Sequence, residues 1–445
     1  MKALMITAMS SGAGKTVMSC ALMAALKKRG LRVQAFKSGP DYIDPMFHTR
    51  VLGVESRNLD LFLQGEEGVR KSFATAEGDF AIVEGAMGFY DGIGGGTVAS
   101  AWDLTCCLNL PAILTLRPQG NGVTLAAQIR GLQAFRSESH IAGLLLSDCS
   151  EQRAKTLSTI LERECGLPVL GALPHMSEAE LKSRHLGLLT AAEIADFQER
   201  IERLAKQIEE TADLDRLLAI TAEINLPGEK SVQTARPVNC RIAVARDEAF
   251  CFLYSDNLKA LQRAGAELVF FSPLRDLHLP EADGLYLCGG YPELYAEQLA
   301  DNTKMRADIR EWLQNGKPTV AECGAFLYLQ QSLEDTVGKV WKMCGALPGQ
   351  GYRTEHLQRF GYVTLVAEDD SLLFRRGDRI PAHEFHYWDS TENGNALCAQ
   401  KMDGKNRRCG FATETLYAAF PHLHFGGTLP MAERFAAACV RGREQ

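Results

Sequence analysis

The stretch that decides the fold is Lys2-Ala-Leu-Met-Ile-Thr-Ala-Met-Ser10-Ser-Gly12-Ala-Gly14-Lys-Thr16, followed without a break by Val17-Met-Ser-Cys20. Lys2–Ala8 is apolar enough for a buried strand. From Lys15 to Arg29 the apolar residues Val17, Met18, Ala21, Leu22, Ala25 and Leu26 recur at helical spacing. Lys27, Lys28 and Arg29 fall in the last turn, where cations suit the helix dipole, and Gly30 stops the helix. Strand, glycine turn ending Gly-Lys-Thr, then helix is the context of a phosphate loop. Backbone N–H groups of Ser11, Gly12, Ala13 and Gly14 would face phosphate oxygens, Lys15 would neutralise them, and the Thr16 hydroxyl would ligate Mg²⁺. The standard loop begins with a glycine where this chain has Met9, so the loop is of a deviant kind.

Outward from the loop, the first half alternates short apolar strands with amphipathic helices, the pattern of a parallel α/β sheet. Strands are expected at Arg32–Phe36, Phe80–Glu84, Ala112–Leu116 and Gly143–Ser147. A charged helical stretch runs from Ala191 to Leu218. The Pro- and Gly-punctuated segment 225–238 then reads as a linker between a domain at 1–224 and another at 239–445. A second α/β pattern follows, with strands at Arg241–Arg246, Glu267–Phe271, Gly284–Cys288 and Thr319–Glu322.

At 445 residues the chain is too long for a single ordinary core. A net charge of −7 argues against a nucleic-acid binder, whose face would be basic. With no apolar run of membrane length and no signal-peptide pattern, a cytoplasmic protein is expected. The 13 cysteines contain no CxxC pair and read as reduced thiols, with Cys323 the exception.

Two groups of residues carry chemistry. In the first half, Glu84 ends an apolar strand at the sheet edge where ligands gather, opposite Thr16, and is a candidate Mg²⁺ ligand. A solvated strand-end glutamate is the plain alternative. Lys37, Asp41 and Asp44 in Lys37-Ser-Gly-Pro-Asp-Tyr-Ile-Asp-Pro45, and Asp91 in Met87-Gly-Phe-Tyr-Asp-Gly92, are expected at the same edge. In the second half, Pro318-Thr-Val-Ala-Glu-Cys323-Gly324 is a strand, a tight turn and a helix start: a nucleophile elbow with cysteine in the serine place. The helix N-terminus would favour thiolate, and N–H groups of Gly324 and of the Gly289-Gly290 turn would form an oxyanion hole. His422 is the candidate base, with His383 and His386 as competitors. A glutamate two residues after the histidine would complete a Cys-His-Glu triad, but that place is His424.

Taken together, these motifs resemble the cobyrinic acid a,c-diamide synthase family over nearly the whole chain. Besides the segments above, Arg57-Asn-Leu-Asp60 with His48, Arg184-His-Leu-Gly187, Gly289-Gly-Tyr-Pro-Glu293, Phe360-Gly-Tyr362 and His383-Glu-Phe-His-Tyr387 carry the resemblance. It implies an N-terminal P-loop NTPase-like, dethiobiotin-synthetase-like parallel sheet domain and a C-terminal class I glutamine amidotransferase-like α/β domain. It also implies ATP and Mg²⁺ as cofactors, and a tetrapyrrole carboxylate and L-glutamine as substrates. Cys323 and His422 would release ammonia from glutamine, in a family that dispenses with the acidic third member. Asp41, Asp44 and Glu84 would position metal and phosphates beside Thr16, Lys37 would join the nucleotide-binding residues, and Asp91 would contact the substrate. Arg117 stands where the family has aspartate, and Ser147 where it has an asparagine associated with base recognition. Nickel-sirohydrochlorin and hydrogenobyrinic acid are alternative acceptors. A partition-type ATPase switch is the rival of another class, and it gives Cys323 no role. No nucleic acid or membrane partner is expected, and a homodimer is left open.

Overall fold

In the computed structural model, the described residues are 1–176, 183–184, 187–188, 196–224 and 239–443. The expected linker at 225–238 lies outside them, as do His185 and Leu186 of the Arg184–Gly187 motif and the start of the stretch 191–218. The chain divides into two compact units, Met1–Leu61 with Glu66–Lys230, and Phe62–Gly65 with Ser231–Gln445.

In the first unit the elements are β1 (Lys2–Ala8), α1 (Lys15–Lys28), β2 (Val33–Ser38), α2 (Ile43–Leu52), β3 (Arg57–Leu59), α3 (Leu61–Ala74), β4 (Phe80–Glu84), α4 (Ala101–Leu108) and β5 (Ala112–Leu116). Then come α5 (Val123–Phe135), β6 (Ile141–Ser147), α6 (Glu151–Cys165), β7 (Val169–Leu173), the short pair β8 (Ser183–Arg184) and β9 (Gly187–Leu188), α7 (Phe197–Thr211), α8 (Leu214–Ile220) and β10 (Ala222–Glu223). Seven strands run in the order β3-β2-β4-β1-β5-β6-β7, parallel throughout, and β10 adds an antiparallel bridge to the start of β1. Helices cover both faces, as a parallel sheet requires. One apolar cluster joins α1, α2 and α7 to the sheet through Leu22, Phe47 and Leu204, and another joins α4, α5 and α6 through Leu104, Ile129 and Leu161. The chain leaves β1 and β4 in opposite directions, so their carboxyl ends open a crevice at a topological switch point.

The second unit has a sheet in the order β12 (Ala266–Phe271), β11 (Cys240–Ala245), β13 (Gly284–Leu287), β14 (Thr319–Glu322), β24 (Leu416–Ala419) and β23 (Phe411–Ala412). All but β23 are parallel. Its helices are α9 (Ser255–Arg263), α10 (Ala296–Asp301), α11 (Thr303–Gln314), α12 (Gly324–Leu329) and α13 (Met431–Arg443). An antiparallel sheet, β22 (Asn406–Cys409), β21 (Leu397–Gln400), β18 (Arg359–Ala367), β19 (Arg379–His386) and β25 (His422–Leu423), shares its core with the parallel one through Val363, Leu365, Tyr286 and Tyr417. A small third sheet holds β15 (Ser332–Glu334), β16 (Val340–Lys342), β17 (Gln350–Arg353) and β20 (Trp388–Ser390). Among the described residues no helix is long and apolar enough to cross a membrane.

Candidate functional sites

The loop after β1 turns through Gly12 and Gly14, with φ of 75° and 89°, into α1. Only glycine holds these left-handed conformations without strain, and a side chain on Gly14 would also collide with Ser147. Lys15 is largely buried and folds back on its own crevice, donating to the carbonyls of Ser10 at 3.0 Å and Met87 at 2.5 Å. Burial, followed by the charge of Lys37, lowers its pKa to about 8; Glu84, Asp44 and Asp91 pull the other way.

Beneath Lys15 lies a dense ionic cluster. The Thr16 hydroxyl donates to Glu84 Oε1 at 2.8 Å and lies 3.2 Å from Asp44 Oδ1. Lys37 Nζ sits 2.5 Å from Asp44 Oδ2 and 2.9 Å from Glu84 Oε1, and all three side chains are buried. Burial alone would take the proton from Lys37, but Asp44 and Glu84 outweigh it and hold the ammonium above its ordinary range. Burial also pushes the Asp44 carboxyl up, only partly offset by Lys37. Glu84 feels the same burial, yet Lys37 and His48 bring it below its usual value.

His48 buttresses the cluster. Its Nε2 meets Glu84 Oε2 at 2.8 Å and its Nδ1 meets Ser56 Oγ at 3.2 Å, fixing the carboxylate from behind. Asn58 is a second such residue. Its side-chain amide donates to the carbonyls of Gly39 and Asp41, pinning the loop that carries Asp44. Asp41 itself accepts the N–H groups of Ile43 and Asp44 through Oδ1 and so caps α2. Asp91 is exposed and accepts from Gly88 N–H in the turn after β4. Arg117 reaches Gly12 O at 3.5 Å and pairs with Asp148.

In the second unit, β14 delivers Cys323 into a turn with φ 50° and ψ −108°, outside every ordinary well for a residue with a side chain. This is the strained backbone of a nucleophile elbow, here with the cysteine itself buried. Cys323 N–H donates to Ala419 O, tying the elbow to β24, whose chain runs on to His422. Both side chains close on Gly289: a Cβ built there would stand 2.5 Å from His422 Cε1 and 3.3 Å from Cys323 Cβ. Gly324 lies against Gly290, where a Cβ would be 3.2 Å from Gly290 N. Cys323, His422, Gly290 and Gly324 thus lie close together.

The competing histidines are held otherwise. His386 stacks on Phe420 at 3.9 Å and donates from Nδ1 to Trp388 O. His383 is the strand partner of His422 across β19 and β25, with its ring edge-on to Tyr362. His424 accepts the Gly426 N–H through Nδ1 and packs on Tyr254.

One expectation is corrected. The Cys323 thiol is not favoured as thiolate: burial pushes it far above its ordinary range, Glu293 adds to this, and only the Gly324 N–H opposes. Burial, with His383 and His386 nearby, lowers His422 to about 3. Both shifts favour a neutral thiol beside a neutral imidazole.

A phosphate loop in the first unit and a cysteine elbow in the second together define the class. Residues 4–189 match the CobQ/CobB/MinD/ParA nucleotide binding domain, and residues 241–429 match the CobB/CobQ-like glutamine amidotransferase domain. Similar curated proteins share the name cobyrinate a,c-diamide synthase. That of Clostridium acetobutylicum is 39% identical over 437 residues, covering 96% of this chain and 98% of the relative. That of Fusobacterium nucleatum is 37% identical, covering 97% and 99%, and that of Salmonella typhimurium is 37% identical, covering 99% and 98%. The chain belongs to the cobyrinate a,c-diamide synthase family.

Proposed function

We propose that this protein uses ATP and glutamine to convert the a and c acetate carboxylates of cobyrinic acid to amides. The observation that carries the reading is the co-occurrence, in one chain, of the Thr16–Asp44–Glu84–Lys37 cluster under a phosphate loop and the Cys323–His422 pair at an elbow. The first suits phosphoryl transfer and the second releases ammonia. The domains are taken as 1–224 and 239–445.

In the second domain, Cys323 Sγ attacks the side-chain amide carbon of glutamine while His422 takes the thiol proton. His422 returns it to the amide nitrogen, which leaves as ammonia, and water then hydrolyses the thioester to glutamate. The N–H groups of Gly290 and Gly324 hold the oxyanion. In the first domain, a substrate carboxylate oxygen attacks the terminal phosphorus of ATP, giving ADP and an acyl phosphate. Ammonia then displaces phosphate to form the amide. Lys15, the N–H groups of Ser11 to Gly14, and Lys37 hold the transferring phosphates, with Asp41 and Asp91 placing the acceptor.

Thr16, Asp44 and Glu84 offer only oxygen, as a hard divalent cation requires. No group of three or more His, Cys, Asp or Glu side chains among the described residues is poised to hold a metal. Mg²⁺ would take water and phosphate oxygens as its other ligands. Bound there, it would neutralise charge on the transferring phosphate. The thirteen free cysteines support a reducing, cytoplasmic setting.

The test is turnover with ATP, Mg²⁺ and glutamine on cobyrinic acid, nickel-sirohydrochlorin and hydrogenobyrinic acid in parallel, with products identified by mass. A diamide from cobyrinic acid at the highest kcat/KM supports the reading. Preference for either of the other two sinks the choice of acceptor.

A further inference from the structure

The acidic partner of an orthodox Cys-His-Glu triad is absent from its usual place, two residues after His422, where His424 accepts the Gly426 N–H through Nδ1. A carboxylate arrives there from another direction. Glu322, immediately before the nucleophile at the end of β14, is 1% exposed, and its Oε2 lies 4.0 Å from His422 Nδ1. We infer that Glu322 is the positioning residue of the glutaminase centre, holding His422 Nδ1–H so that Nε2 faces the Cys323 thiol.

The surroundings of Glu322 are built for this. Its Oε1 accepts the Leu423 N–H at 3.0 Å, one residue past the base, and its Oε2 accepts from Tyr286 Oη at 3.3 Å. Asn257 closes the frame: its amide donates to Tyr286 Oη at 3.1 Å and to Leu423 O at 2.9 Å, and its carbonyl accepts from Phe425 N–H at 2.7 Å. Three side chains thus clamp the short strand carrying His422 against the strand carrying Cys323. The register Glu322↔Ala419 explains how a residue of one strand end meets the base: β24 is the neighbour of β14, and its chain reaches His422 three residues later.

At 4.0 Å the pair is an electrostatic contact that a small rotation of the imidazole converts to a hydrogen bond. Burial pushes Glu322 up to about 8, opposed by the hydrogen bonds from Leu423 N–H and Tyr286 Oη. As the carboxylate, Glu322 stabilises the imidazolium formed when His422 has taken the thiol proton, without receiving that proton itself.

The inference rests on Cys323 and His422 being the glutaminase pair, and the experiment separates the two. Glu322→Gln keeps the shape and can still accept from Leu423 N–H, but its amide then turns an N–H toward His422 Nδ1. That favours the tautomer with the proton on Nε2, the wrong one for taking a proton from sulfur. The expected result is a fall in glutamine-supported kcat of about 10²-fold or more, with KM for glutamine and ammonia-supported synthesis unchanged. Cys323→Ala runs beside it. If Cys323→Ala loses glutamine-supported synthesis while Glu322→Gln keeps it, the positioning role is overturned and the glutaminase assignment stands. If Cys323→Ala also keeps it, the assignment itself is wrong. Should Glu322→Gln fail to fold, Glu322→Asp against Glu322→Asn repeats the comparison with the charge as the only difference. Higher glutamine-supported kcat in the aspartate variant supports the role, and equal kcat overturns it.

Discussion

Gly289→Ala should disable glutamine use while sparing the rest of the enzyme. A methyl group there stands 2.5 Å from His422 Cε1 and 3.3 Å from Cys323 Cβ. Ordinary carbon–carbon contact needs about 3.5 Å or more, so the imidazole must retreat by about 1 Å. His422 is packed between β19 and the Glu322 clamp, so that retreat is resisted, and overpacking of this kind costs about 1–3 kcal/mol. A misplacement of about 1 Å at a catalytic base costs on the order of 10²-fold in rate. Gly289 accepts from Cys251 and Phe252 only through its carbonyl, which alanine retains, so the loop itself is not undone. The assay compares synthesis supported by glutamine with synthesis supported by ammonium chloride, alongside a thermal melt. The expected outcome is a loss of about 10²-fold with glutamine, and none with ammonia. Full glutamine-supported activity in the folded variant would refute the placement of His422 against Cys323.

Lys37→Met should leave two buried carboxylates facing each other without a counter-charge, destabilising the protein by about 3–5 kcal/mol in urea unfolding. An unchanged midpoint would contradict the ionic cluster. Glu84→Gln should impair synthesis with glutamine and with ammonia alike, by about 10²-fold or more in kcat; full activity with either donor sinks its role at the metal. Because the Cys323 thiol is raised and His422 lowered to about 3, both groups are neutral near pH 7 and the thiolate fraction grows only as pH rises. Iodoacetamide labelling of the Cys323 peptide, followed by mass spectrometry without glutamine, should therefore be slow at neutral pH and climb steadily into the alkaline range. A plateau of fast labelling between pH 5 and 8 would mean a thiolate–imidazolium pair instead.

Much of the fold is legible in the sequence because apolar runs and their stops are local signals. Phe80–Glu84, Ala112–Leu116 and Thr319–Glu322 begin and end where their apolar runs do. The phosphate loop and the elbow are legible for the same reason: each is a contiguous strand–turn–helix whose glycines are needed at fixed offsets. What the sequence hides is side chains that act across the sheet. His48 and Asn58 hold Glu84 and the Asp44 loop through contacts 36 and 17 to 19 residues away in the chain, and no spacing rule points to them. Glu322 is harder still, since a glutamate before a nucleophile looks like an ordinary strand end, and the class I pattern places the acid after the histidine. The state of the Cys323 thiol is hidden for a related reason. An elbow motif reveals a helix N-terminus, but not the burial that pushes the thiol up.

The central claim is a division of labour, with nitrogen released at Cys323 and amide formed at the Thr16–Asp44–Glu84 cluster. The most direct test is Cys323→Ala assayed with glutamine and with ammonium chloride on the same tetrapyrrole. The account predicts no detectable product with glutamine and near wild-type synthesis with ammonia. A folded variant that ammonia cannot rescue, or that still uses glutamine, would contradict it.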